Sequence, residues 1–568
     1  MQYTLTRLID LARGAGKADL VIRNSRVVNV LSGEIHEADV AVAGGVFLGF
    51  GRYEGGCEFD AGGRYLLPGL VEGHIHIEST LLTPPHFARA VAGHGTAAVV
   101  CDPHEIANVL GREGVEYMLW ASHGLPVSIF FMVPSCVPAT ALETSGATLT
   151  AQDVAYFLHN YPSRVRGLAE VMNFPGVLFK DPGVLEKLVS AAGRVVDGHA
   201  PLLGGMDLNA YVLAGPRSDH ECSEVSEALE KLRAGMHLMM REGSLERNME
   251  ELLGAVNDFN AQNVSMVTDD RNVLDLRDNG HLDYALRRAV ALGMDPVRAV
   301  QTVSINTARY FGLAGHGAIA PGYRANCFLV DDLKDFSIHQ VFLNGIPLEE
   351  HRFETANSVV PANCMNVGTN IDESLFAAEP GSGRVRVIGV RPGQLLTENR
   401  ILEPCVVDGR PAADPARDIC KFTVIERHHG SGSHATGFVQ GLGLTGGALA
   451  GTVAHDSHNL IVAGTNDADM VLAAREAVAL GGGFVAVRDG QVLASLSLPI
   501  AGLMSDKDMD DVAAEVESLN SATEKLGCSF NPFMLISFLG LPVIPSLKLT
   551  DKGLVDVEAF NFTSLWVD

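Results

Sequence analysis

The sequence predicts an α/β protein: a (β/α)8 TIM-like barrel, flanked by a small β-sandwich domain built from both sides of the barrel, then a C-terminal α+β domain. Three observations carry this. Between Tyr65 and Leu313 short apolar runs alternate with helix-like stretches, which implies parallel βαβ units. That segment has the length of one such barrel, about 250 residues. Alternating β patterns lie on both sides of it, and a differently patterned region follows.

In chain order, Leu5, Leu8, Ile9 and Ala12 sit at helical spacing and predict a short amphipathic helix. The runs from Ala18 and from Ala38 alternate as strands do, with Gly44-Gly45 as a hairpin turn. Barrel strands are expected at 97–101, 127–133, 167–171, 195–197, 238–240 and 264–268. Helices are expected at 84–92, 182–192, 245–259 and 282–292. β signals return from Gly317, with a turn at Asn344-Gly345. The polar stretch Asn363 to Gly383 is the expected boundary of the last domain. There, helices are expected over 468–480 and 508–526, with a hairpin turning at Asp489-Gly490. The domains expected are 1–64 and 314–370 for the β unit, 65–313 for the barrel and 371–568 for the C-terminal part.

Bulk properties narrow the function. A formal net charge of −26 with no Lys/Arg run argues against a nucleic-acid or anionic membrane partner. The longest apolar stretch, Phe533 to Pro545, is interrupted by Gly540 and Pro542 and is too short to span a bilayer. Nine scattered cysteines without Cys-x-x-Cys suit reduced thiols, and the N-terminus lacks a secretory signal. A cytoplasmic location is expected.

The chemistry gathers around Pro68-Gly-Leu-Val-Glu-Gly-His-Ile-His-Ile-Glu-Ser-Thr80. Side chains two apart on a strand share a face, so His74 and His76 can grip one cation. Further candidates each end an apolar run: Asp102-Pro-His104-Glu105, Glu170, His199, His220 and Asp269. Barrel active sites are built from the C-terminal ends of strands, where all of these would meet.

These motifs resemble the first-strand signature of the amidohydrolase superfamily, as does Pro321-Gly-x-x-Ala325 after Ser304-Ile-Asn-Thr-Ala-Arg-Tyr310. Four stretches narrow the resemblance to the bacterial adenine deaminases: His74-Ile-His-Ile-Glu-Ser79, Asp102-Pro-His-Glu-Ile-Ala-Asn-Val-Leu-Gly111, Asp197-Gly-His-Ala-Pro201 and Arg217-Ser-Asp-His-Glu-Cys222. The resemblance runs from about residue 18 to the C-terminus. Glu72 and Asn326 depart from it, each standing where Asp is usual.

The resemblance implies two divalent cations, Mn or Fe with Zn also suited, held by His74, His76, Glu170, His199, His220 and Asp269. Glu170 would bridge them. A divalent cation lowers the pKa of water from 15.7 to about 7. The resulting hydroxide would attack C6 of a purine base, in hydrolytic deamination of adenine to hypoxanthine. Of the adjacent Asp269 and Asp270, Asp269 is preferred because it directly follows the apolar run and Thr268. Asp269 would pass a proton to the departing amine, and Glu105 or a neighbouring carboxylate would protonate a ring nitrogen, with His104 alongside. Asp102, His104, Glu105, Asp270, His455 and His458 are expected at the substrate. His428, His429, His434, His455 and His458 form a Gly/Ser-rich loop read as either a polar surface loop or a lid on the barrel mouth. Other amidohydrolase chemistry, on a cyclic amide or N-acyl group, would use the same cations. A non-catalytic interaction protein would lack ligand residues, and here all six positions are filled. The superfamily implies a homo-oligomer, dimer or larger.

Overall fold

The computed structural model describes residues 4–354, 364–391, 395–407 and 409–567. Asn363, the first residue of the expected domain boundary, lies outside them.

Eight short strands, buried along most of their length, form the centre: β1 (Leu70–Ile75), β2 (Thr96–Cys101), β3 (Ser128–Val133), β4 (Val165–Val171), β5 (Val195–Gly198), β6 (Ser218–Asp219), β7 (His237–Arg241) and β8 (Val264–Val267). β1 to β5 pair in sequence order as one parallel sheet, and β6 to β8 as another. The Arg217 N–H donates to the Val196 carbonyl at 2.9 Å, joining β5 to β6. On the far side Ile75 bridges Asp269 in parallel, and the Asp269 N–H donates to the His74 carbonyl at 2.9 Å. The curled parallel array is consistent with a TIM-like barrel. Continuous apolar runs such as Thr96-Ala-Ala-Val-Val-Cys101 suit strands covered on both faces.

The flanking strands hydrogen-bond as one eight-stranded sheet, where a sandwich was expected. Ala18–Asn29 is long enough to pair with Glu34–Ala43 along one edge and with both Gly55–Asp60 and Tyr65–Pro68 along the other. Cys327–Val330, from beyond the barrel, pairs antiparallel with Tyr65–Pro68.

One expected helix breaks. Residues 245–259 hold only a short helix, Met249–Leu252, and a 3-10 turn, Leu253–Ala255. The Asn248 side chain explains the late start: it accepts the Arg241 N–H and donates to the carbonyls of His220 and Cys222. The preceding loop is thereby tied to the strand ends.

The C-terminal region is a nine-stranded mixed sheet with helices Asp467–Ala479 and Met509–Lys525. It packs on the barrel mouth. The Ser505 N–H donates to the Leu81 carbonyl at 2.8 Å, the Thr144 N–H to Asp551 Oδ1 at 2.9 Å, and Lys552 Nζ to the Glu143 carbonyl at 2.8 Å. One hydrophobic core runs through both regions. No described helix is long and apolar enough to cross a membrane.

Candidate active site

Every expected residue of the strand-end set arrives at one place. His74 is the penultimate residue of β1 and His76 follows the strand; Glu170 lies in β4; His199, His220 and Asp269 come just after β5, β6 and β8. Glu72 braces the seam. Its carboxylate accepts the N–H groups of His74 and Thr268 and the Thr268 hydroxyl, locking β1 to the end of β8. Burial raises its pKa to about 7. Asp269 turns inward at φ 56°, a left-handed conformation that Asp tolerates better than most residues.

Glu170 faces two ways. Its Oε1 lies 3.4 Å from His76 Nε2, and its Oε2 lies 2.7 Å from His199 Nδ1 and 3.3 Å from His220 Nε2. Asp269 Oδ1 is 3.2 Å from His76 Nε2 and 3.4 Å from His74 Nε2. Burial would raise both carboxyls, but the surrounding imidazoles, and for Asp269 also Arg241, hold them well below the usual range.

The donor set suits cations. His76 Nδ1–H donates to the Asp102 carbonyl at 2.9 Å, which leaves Nε2 bare toward the carboxylates. That is the usual posture of a ligating histidine. His74 Nε2 and His220 Nδ1 are buried without a hydrogen-bond partner. His199 Nδ1 and His220 Nε2 face each other at 3.3 Å and address the same Glu170 oxygen. A positive centre between them, a ring proton or a cation, would satisfy both nitrogens and the carboxylate oxygen. Asp102 and His104 join His76 and Glu170 within ligating distance, and Glu221 joins His199 and His220.

Asp270 does not enter this cluster. It accepts the Ser79 hydroxyl and lines a cavity of about 390 Å³ beside the site. The C-terminal region supplies much of the cavity wall, including Phe530, Phe533 and Phe538.

His104 and Glu105 open the helix His104–Leu110. His104 Nδ1 lies 3.1 Å from Asp102 Oδ2. Glu105, which was expected, with a neighbouring carboxylate as the alternative, to protonate the ring nitrogen, lies between two histidines of the C-terminal region. His455 Nδ1 lies 2.6 Å from Oε1, and His458 Nε2 is hydrogen-bonded to Oε2. Burial opposes its charge, but the two histidines and His104 hold the carboxyl well below its ordinary range. His455 and His458 are buried, which removes the surface-loop reading for them. His428 is half-buried, with Nε2 2.8 Å from the Ser457 carbonyl; His429 and His434 are exposed, although His429 Nε2 lies 3.0 Å from the Ser145 carbonyl.

Arg241, at the end of β7, is a site residue the sequence reading passed over. Its Nη1 lies 2.9 Å from Asp269 Oδ2 and 2.9 Å from Glu246 Oε2, and it also grips Glu221. A charged residue closing an apolar strand was the available signal, the same one that marked Glu170. Lys231 is a second omission. Its Nζ ties the Ala200 carbonyl at 2.6 Å to Asp219 at 3.2 Å, fixing the loops that carry His199 and His220.

Residues 65–347 match the amidohydrolase family, and residues 394–561 match the adenine deaminase C-terminal domain. An adenine deaminase of Oleidesulfovibrio alaskensis is 56% identical over 99% of both chains. One from Dehalococcoides mccartyi is 49% identical over 99% of both, and one from Brucella anthropi 44% identical over 98% of this chain and 99% of that one. The chain belongs to the adenine deaminase family. Its relatives match it through the barrel and the C-terminal region alike, so the contacts made by His455 and His458 lie inside the shared span.

Proposed function

We propose that this protein hydrolyses adenine to hypoxanthine and ammonia at the strand-end cluster. One observation carries the reading: a single buried carboxylate, Glu170, addresses imidazoles on two sides, within a chain related end to end to adenine deaminases. The ligands are His74, His76, Glu170, His199, His220 and Asp269, suited by their nitrogen and oxygen donors to a pair of Mn or Fe ions, with Zn an alternative. Cations bound there supply a water whose pKa is brought to about 7.

The chain's own residues then divide the work. Asp269 takes a proton from the attacking water and returns it to the departing amine. Arg241 holds Asp269 Oδ2 and leaves Oδ1 toward the site. Asp270 and the aromatic wall bind the base and keep bulk water out. Glu105, held ionised, governs the proton that the ring nitrogen receives.

The remaining readings follow from the same residues. The eight parallel strands form one closed barrel that begins after the flanking strand Tyr65–Pro68, a few residues beyond the expected boundary at 64, and ends near residue 313; the C-terminal region begins near residue 370. The nine cysteines are all unpaired, which supports a reducing, cytoplasmic setting. Assembly as a homo-oligomer accords with the superfamily.

Ammonia release decides the central claim. After loading with Mn, Fe or Zn, adenine should be turned over, with adenosine, cytosine and cyclic amides slower by orders of magnitude. Equal turnover of a cyclic amide, or none of adenine with any of the three metals, would remove it.

A further inference from the structure

We propose that His455, carried by the C-terminal region, is the catalytic acid that gives its Nε2 proton to the adenine ring nitrogen N1, with Glu105 orienting it. The inference rests on the deaminase reading above and assigns the proton which that reading leaves without an owner.

The proton inventory of three buried side chains leads to it. The Ala454 N–H donates to His458 Nδ1 at 3.1 Å. A nitrogen that accepts an amide hydrogen carries none of its own, so neutral His458 bears its proton on Nε2. That proton points at Glu105 Oε2. Burial keeps His458 neutral, with its pKa near 4. Glu105 therefore spends one oxygen on His458 and the other on His455 Nδ1 at 2.6 Å. With both oxygens accepting and the carboxyl held ionised, Glu105 has no proton to give.

His455 does. Its Nδ1–H is committed to Glu105, and its ring stacks on Phe538 with centroids 4.3 Å apart and planes 11° apart. The ring is thus fixed, and its remaining nitrogen, Nε2, is the one left for the cavity that His455 lines with Ser79 and Asp270. Burial lowers the imidazolium pKa, but the charge and hydrogen bond of Glu105, then Asp270 and Asp456, raise it to about 9. The groups facing it are Glu105 from the barrel, Asp270 from the loop after β8, and Asp456 and His458 from its own segment. At neutral pH it is a charged donor at the substrate side of the site.

The balance is complete. Water gives one proton to Asp269 as its oxygen bonds to C6. The pair of the C6=N1 double bond moves to N1 and takes the His455 Nε2 proton. The C6–N6 bond then breaks, its pair leaving with nitrogen, which takes the Asp269 proton and departs as ammonia. The last O–H proton on C6 returns to His455, leaving C6=O and N1–H.

In metal-loaded full-length protein, His455→Gln should lower kcat for adenine by about 10²–10⁴-fold, the usual reach of a general acid. KM should change only a few-fold and cation content not at all. Imidazole added to His455→Gly should restore part of kcat, to an extent that follows the pKa of the substituted imidazole used. A His455→Gln kcat within threefold of the parent, or a loss matched by lost cations, overturns the assignment. Should neither variant fold, the unsubstituted enzyme answers. Its kcat should fall as pH rises through about 9, and a profile flat from 7 to 10 overturns the assignment equally. If the parent fails on adenine with every metal, the deaminase reading falls instead.

Discussion

Two buried carboxylates in this protein are each flanked by imidazoles, yet they do opposite work. Around Glu170, His74 Nε2 and His220 Nδ1 lack partners, and His199 and His220 direct facing nitrogens at one oxygen. Around Glu105, the Ala454 amide fixes the His458 tautomer, and both carboxylate oxygens accept from imidazoles. Both groups have ligating spacing. Spacing alone would assign a cation to each. The hydrogen inventory separates them: a cation site leaves lone pairs unmet, whereas a proton-handling site meets them. A metal on His458 Nε2 would require an imidazolate, since Nδ1 already accepts.

The largest expected effect falls on the first group. Asp269→Asn removes the carrier of the water proton and weakens a ligand at once. Turnover of adenine should fall at least 10³-fold, toward the upper end of the roughly 10²–10⁴-fold that a single acid–base group contributes. Steady-state kinetics with parallel metal analysis checks this, and a near-normal rate with cations bound would sink the proton role. The next test sharpens the contrast itself. Glu170→Ala should lose cations on dialysis, while His458→Ala should retain the parent's full complement. Loss of a cation from His458→Ala would make the two carboxylates alike after all.

How much of this could be read from the sequence follows from the same contrast. Parallel strands all run one way, so residues that end apolar runs converge whatever their separation along the chain. That is why Glu170, His199, His220 and Asp269 could be gathered from local pattern. β6 is two residues long and shows no periodicity of its own, so no strand was expected there, and His220 was marked by its motif and the apolar run before it. The Glu105–His455 contact spans 350 positions and depends on one region docking on another, which no local pattern encodes. His455 could be suspected, but its partner could not. The late helix start at Met249 has a like origin, because Asn248 is recruited by β7 and the loop after β6.

The smallest effect probes the platform under His455. Lys548 is fully buried in the C-terminal region, and its Nζ donates to the Phe538 carbonyl at 3.0 Å and the Leu395 carbonyl at 3.2 Å. Burial lowers its pKa from 10.5 to about 7. A depressed folded-state pKa gives stability that is present above the unfolded value and lost as pH falls through the folded one. The window therefore runs from about 10.5 down to about 7, at about 1.4 kcal/mol per unit before relaxation. Lys548→Met keeps the stem and removes the titration. Its melting temperature, relative to the parent, should rise by several degrees between pH 10 and pH 7 and level off below. A difference that ignores pH would mean that the ammonium is matched by charge, not by two carbonyls. Because Phe538 both accepts from Lys548 and stacks on His455, the variant's kcat should fall by a few-fold while its cation content stays fixed. Such a split would tie the proton-handling carboxylate, and not the cation cluster, to the packing of the C-terminal region.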